Sequence, residues 1–69
     1  MNLVDMVSLH CAKNHITKKE FAESVGMSYT QLWSKINGRR EFRLLEAYQV
    51  ARALDIDMLE FVRLLFSTS

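Results

Sequence analysis

The sequence predicts an all-α fold of five helices, and three observations carry that expectation. The 69 residues contain no proline and two glycines, Gly26 and Gly38, so the usual helix breakers are nearly missing. Apolar residues recur at three- and four-residue spacing between polar interruptions. Small polar residues stand in front of several of these segments, where helices need a side-chain cap. A hydrophobic share of 49% suits a globular chain. At this length one domain with a small core is expected, because such a chain buries only about 60% of its unfolded surface.

Helix 1 is expected over about residues 3–13. Asn2 caps it and Asp5 sits near its positive end. Leu3, Met6, Val7 and His10 or Cys11 form its inner stripe, widened by Val4 and Leu9. Lys13-Asn14-His15 then interrupts the pattern, with Asn14 as the left-handed terminator. Thr17 followed by Glu20 matches a capping box and opens helix 2, whose inner side is Phe21, Ala22 and Val25. The small Ala22 allows another helix to cross closely. Gly26 suits the positive φ that ends a helix, and Met27 bridges the turn.

Ser28 caps helix 3, in which Leu32 and Ile36 face inward and Trp33 is a half-buried flank. Asn37-Gly38 closes it. Helix 4 is expected from Phe42 or Arg43 to Leu54, with Leu44, Leu45, Tyr48, Ala51 and Leu54 as its stripe and Val50 alongside. Asp55 ends it. Asp57 and Glu60 repeat the capping spacing and open helix 5, about residues 58–66, which is apolar around most of its girth. The tail from Ser67 to Ser69 is expected to fray.

The net charge of +1 conceals an uneven distribution. From Thr17 to Arg43, Lys18, Lys19, Lys35, Arg39, Arg40 and Arg43 outweigh Glu20, Glu23 and Glu41. From Leu44 onward, Glu46, Asp55, Asp57 and Glu60 outweigh Arg52 and Arg63. Positive charge gathers where phosphate would be met, although ordinary scatter on a solvated surface reads equally well. The single cysteine, Cys11, cannot form an internal disulfide and fits a reducing, cytoplasmic setting. No apolar run is long enough for a membrane span, and the first residues lack a basic signal-peptide start.

The segment of about residues 17–38 places Phe21 and Ala22 before Gly26, and Leu32 six residues after the glycine. It resembles the helix-turn-helix of the Cro and lambda-repressor-like family, also called the XRE family. Ile36-Asn37-Gly38-Arg39 is similar to that family's close of the recognition helix. Ala51 to Phe61, ARALDIDMLEF, resembles its junction between the fourth and fifth helices. The likeness covers nearly the whole chain. One departure is Lys35, which stands where the family usually has an apolar residue.

The resemblance implies a compact five-helix DNA-binding domain with the helix-turn-helix at helices 2 and 3, acting on double-stranded DNA in transcription regulation. It implies base contacts from Tyr29, Thr30 and Ser34, with Lys35 and Gln31 as neighbours, and phosphate contacts from Lys18, Ser28, Asn37, Arg39, Arg40 and Arg43. Thr30 suits a thymine methyl, Lys35 guanine O6 or N7, and Gln31 adenine. Tyr29 suits either a groove contact or an aromatic packed at the helix edge. Whether Ser34 or Lys35 faces the groove stays open. A phage or prophage Cro or repressor-like protein, dimeric on a near-palindromic operator, fits this picture. An antitoxin-like or antirepressor-like module that binds a protein partner is the alternative.

Other chemistries find little support. His10, Cys11 and His15 offer at most three metal ligands, so no metal or other cofactor is expected. No nucleophile stands near a base and an orienting group, so the chain does not read as an enzyme. It has no room for a small-molecule ligand domain. The four methionines read as core filler. Helix 5 carries more apolar surface than one core face absorbs. It therefore reads as both core and dimer contact, with Phe61, Leu64, Leu65 and Phe66 as candidates.

Overall fold

The computed structural model describes residues 2–66. Five helices follow one another: α1 (Leu3–Asn14), α2 (Lys18–Ser24), α3 (Tyr29–Ile36), α4 (Leu44–Ala53) and α5 (Met58–Phe66), with no strand among the described residues. Residues 67–69, where fraying was expected, lie outside that range.

Side chains just ahead of the helices set where they begin. Asn2 Oδ1 accepts the Asp5 N–H at 2.9 Å and Asp57 Oδ1 accepts that of Glu60 at 2.7 Å. Thr17 and Glu20 form the complete capping box, each side chain accepting the other's backbone N–H. Ser28 and Gln31 form a second one. A cap of this kind stabilises its helix by about 1 kcal/mol.

The first four helices end in one way. A left-handed residue follows the last turn, at His15 (φ 56°), Gly26 (φ 78°), Gly38 (φ 81°) and Asp55 (φ 59°). The next N–H reaches back to a carbonyl five residues earlier: Ile16 to Cys11, Met27 to Ala22, Arg39 to Ser34 and Ile56 to Ala51. This is the Schellman arrangement, which usually sets an apolar residue after the turn. Ile16, Met27 and Ile56 obey; Arg39 does not. The terminator of α1 is thus His15 rather than Asn14. Asn14 remains helical, and its amide nitrogen donates to the His10 carbonyl at 2.9 Å.

Phe21, Phe61, Leu3, Leu32, Val7 and Val50 are the largest fully buried side chains, each contributing about 1.5–3 kcal/mol by leaving water. Cys11, Ala22, Val25, Met27, Ile36, Ala47, Ala51, Leu54 and Leu64 complete one cluster drawn from all five helices. α5 closes it, packing on α1 and α4. Phe42 lies in the loop before α4 and meets Phe61 edge-on, with ring centres 5.3 Å apart.

Three expectations about inner faces are corrected. Leu9 is exposed and does not widen the α1 stripe. On α4, Leu44, Leu45 and Tyr48 point outward (Leu44 is 81% exposed), whereas Ala47, Val50, Ala51 and Leu54 enter the core. The small Ala47 and Ala51 let α4 approach closely, and Glu46 is drawn inward beside them by Lys35. On α5, Phe61 and Leu64 are core side chains, 1% and 8% exposed. They cannot serve as dimer contacts while the fold stands.

Candidate functional site

The candidate site lies on the outward side of α3. Leu32 and Ile36 anchor this helix in the core, which leaves residues 29, 30, 33, 34 and 37 on the opposite side. Tyr29, Thr30, Trp33, Ser34, Asn37 and Arg39 line one open depression of about 600 Å³. Arg39 reaches it because the Schellman turn at Gly38 folds the chain back onto the Ser34 carbonyl. The N–H groups of Arg39 and Arg40 both donate to that oxygen, at 2.9 and 3.3 Å.

Aromatic contacts fix part of this surface. The rings of Tyr29 and Trp33, four residues apart, stack at 5.6 Å between centres and 14° between planes. Lys18 Nζ, from the first turn of α2, stands over the Trp33 ring at 5.6 Å from its centre. Aromatic stacking and cation–π contacts each supply about 0.5–1 kcal/mol at exposed sites. Trp33, expected only as a flanking anchor, is therefore a member of the site. Its spacing of four from Tyr29 is the sequence signal for that.

Two of the expected base-contact residues are engaged within the fold. Lys35 turns inward and donates to Glu46 Oε1 at 2.5 Å, the two side chains being 11% and 22% exposed. A lysine three after Leu32 and one before Ile36 sits on the buried stripe, and it needs an anion there. The same Glu46 oxygen accepts the Arg43 N–H at 2.9 Å. The bond from Lys35 and then that from Arg43 hold the Glu46 carboxyl below the usual glutamate range. Gln31, for its part, uses its side-chain oxygen to cap α3.

Of the open pair Ser34 and Lys35, Ser34 is the one in the depression. Ser28 is exposed, but its hydroxyl accepts the Gln31 N–H. Asn37 donates its amide nitrogen to the Trp33 carbonyl at 2.8 Å. Arg40 and Arg43 are exposed on the connection to α4, Arg43 at that helix's cap position. The geometry thus collects hydroxyls, two aromatic rings and one guanidinium on one face. Such a face can dock against a polar, anionic surface.

A second exposed surface is apolar. Leu44, Leu45, Tyr48 and Met58 border a cleft between α4 and α5, and Leu59, Val62 and Phe66 are exposed along α5. Of the expected dimer residues, Phe66 (76% exposed) belongs here, while Leu65 is half-buried against the core. His10, Cys11 and His15 do not gather: His10 lies edge-on to Phe21, Cys11 is buried and His15 is exposed. No helix among the described residues is long and apolar enough to cross a membrane. No protein-family model, curated protein or solved structure matches the chain.

Proposed function

We propose that the protein is a sequence-specific regulator of transcription that binds double-stranded DNA as a homodimer. The α3 face would lie in the major groove of a near-palindromic operator. The observation that carries this reading is the α3 surface itself: a polar and aromatic face bordered by Lys18, Arg39 and Arg40, its remaining lysine withdrawn to Glu46. Cations at the margin suit phosphates, and short polar groups between them suit base edges. The resemblance of residues 17–38 to the Cro and lambda-repressor-like helix-turn-helix supports it, and a phage or prophage origin accords with that resemblance. Occupancy would be the means of control, exerted in the cytoplasm through concentration and dimerisation. Two copies would set their α3 helices about 34 Å apart along the duplex.

Duplex binding measured across a salt series tests this. Affinity should fall steeply with salt. Arg40→Ala should weaken binding to all duplexes about equally and reduce the salt slope by about one, while Ser34→Ala should change which sequences are preferred. A flat salt response, or no binding to any duplex, sinks the reading.

The α4–α5 surface favours a second reading, in which the chain binds a protein partner in the manner of an antitoxin or antirepressor. Exposed apolar side chains along α5 mark such interfaces. Salt-insensitive capture of a protein, lost on Leu59→Glu, would support it over the first.

A further inference from the structure

Resting on the duplex-DNA reading, we propose that the α3 face selects A·T-containing half-sites by the C5-methyl group of thymine, with Tyr29, Thr30 and Trp33 as the reading surface.

The inventory of groups on that face leads to this choice. Guanine is read best by a forked or flexible cation reaching O6 and N7, and adenine by a carboxamide spanning N6 and N7. The cation of α3, Lys35, is bound to Glu46 beneath the helix. The Gln31 carboxamide oxygen accepts the Ser28 N–H, which engages the acceptor that a paired contact to adenine N6 and N7 needs, and the Asn37 amide nitrogen donates to the Trp33 carbonyl. Besides the Gln31 amide nitrogen, the helix surface presents the hydroxyls of Tyr29, Thr30 and Ser34, together with the two rings. A hydroxyl rotates to donate or accept as required and so discriminates weakly between bases.

The apolar groups behave differently. In the major groove the thymine methyl is the one apolar feature among the four unmodified bases. Tyr29, Thr30 and Trp33, which carry the rings and a γ-methyl, line the depression that would meet it. These rings are also held in place before DNA arrives. Tyr29 stacks on Trp33, and Lys18 reaches over Trp33 from α2. A pre-set apolar surface loses little side-chain freedom on binding, so burial of a methyl group counts nearly in full. Arg39 is the one forked cation that lines the depression, but it belongs to the turn after α3 rather than to the helix itself.

The test begins with duplexes selected from a random pool by the full chain. Each thymine of the enriched half-site is then replaced singly by deoxyuridine, which removes the methyl and nothing else. At one or two positions affinity should drop about fourfold, the weight of one buried carbon. Thr30→Ser and Tyr29→Ser should each shrink that thymine-to-uracil ratio, with helical content checked by circular dichroism. If Tyr29→Ser fails to fold, the milder Thr30→Ser decides.

Salt-dependent duplex binding with no uracil effect at any position would overturn the proposal and leave the DNA reading intact. So would loss of preference on replacing a guanine by 7-deazaguanine, which would point to Arg39. Tighter binding to the single strand than to the duplex would also overturn it, in favour of bases stacking on the rings. Failure to bind any nucleic acid would remove the underlying reading itself.

Discussion

Lys35 Nζ and Glu46 Oε1 meet at 2.5 Å and join the last turn of α3 to the first turn of α4. The pair lies on the inward sides of both helices, whose rotation is set in the core by Leu32 and Ile36 on α3 and by Ala47, Val50 and Ala51 on α4. With Lys35 turned in, Tyr29, Thr30, Trp33 and Ser34 are turned out. With Glu46 turned in, Ala47, Val50, Ala51 and Leu54 follow it into the core and Leu45 and Tyr48 are left outside.

Removing Glu46 should cost more than removing Lys35. Glu46→Ala strands a largely buried ammonium and deletes the acceptor of the Arg43 N–H. Breaking a fully buried pair costs about 3–5 kcal/mol, and the solvent access here reduces the expectation to about 2 kcal/mol. Lys35→Met keeps the length of the side chain and leaves a carboxylate that still reaches water, so a change under about 1 kcal/mol is expected. Urea unfolding followed by circular dichroism measures both. Equal losses would contradict this ranking. Lys35→Met should also leave sequence preference on DNA unaltered.

The same pair makes the fold sensitive to acid. The Glu46 carboxyl titrates lower in the folded chain than in the unfolded one, so the folded state binds its proton less readily. Its contribution is fully present above the ordinary glutamate value of about 4.3 and is lost as pH falls through the lower, folded value. Melting temperatures from pH 7 to pH 3 should show an acid decline that Glu46→Gln makes shallower. An unchanged decline in that variant would assign the acid limb to other carboxylates.

On α5, neighbouring positions should separate by role. Leu59→Glu together with Phe66→Glu should shift sedimentation toward the monomer while changing stability by no more than about 0.5 kcal/mol, as exposed positions do. Phe61→Ala should instead destabilise the fold by about 3–5 kcal/mol, because a core ring is removed. A dimer that survives the double glutamate variant would place the contact elsewhere.

Cys11 should behave as a core group. Burial pushes its thiol up from the ordinary value, with Lys18 opposing more weakly. Its folded value is raised, so its contribution to stability is present below the ordinary thiol value of about 8.5 and is lost as pH rises toward the folded one. The native protein should react slowly with a disulfide reagent at neutral pH, and Cys11→Ala should flatten the alkaline limb of the stability curve. Labelling as fast as in urea would refute the burial.

Much of this protein is determined locally, and the sequence alone therefore decided it. Asn2, Thr17, Ser28 and Asp57 cap the helices they precede, and Gly26 and Gly38 take the positive φ that ends α2 and α3. Helix order, helix ends to within a residue or two, and the anchors Phe21, Ala22, Leu32 and Ile36 follow from interactions spanning three to five residues. The rotation of α4, the inward turn of Lys35 and the withdrawal of Phe61 and Leu64 do not. By hydrophobicity alone, Leu44, Leu45 and Tyr48 make a better inner stripe than one containing two alanines. The tertiary structure chose the alanine side because small residues permit close approach and because Lys35, itself on a buried stripe, required an anion. That partner stands eleven residues along the chain, beyond the reach of any helical period, so only the tertiary structure could decide that Lys35 turns inward.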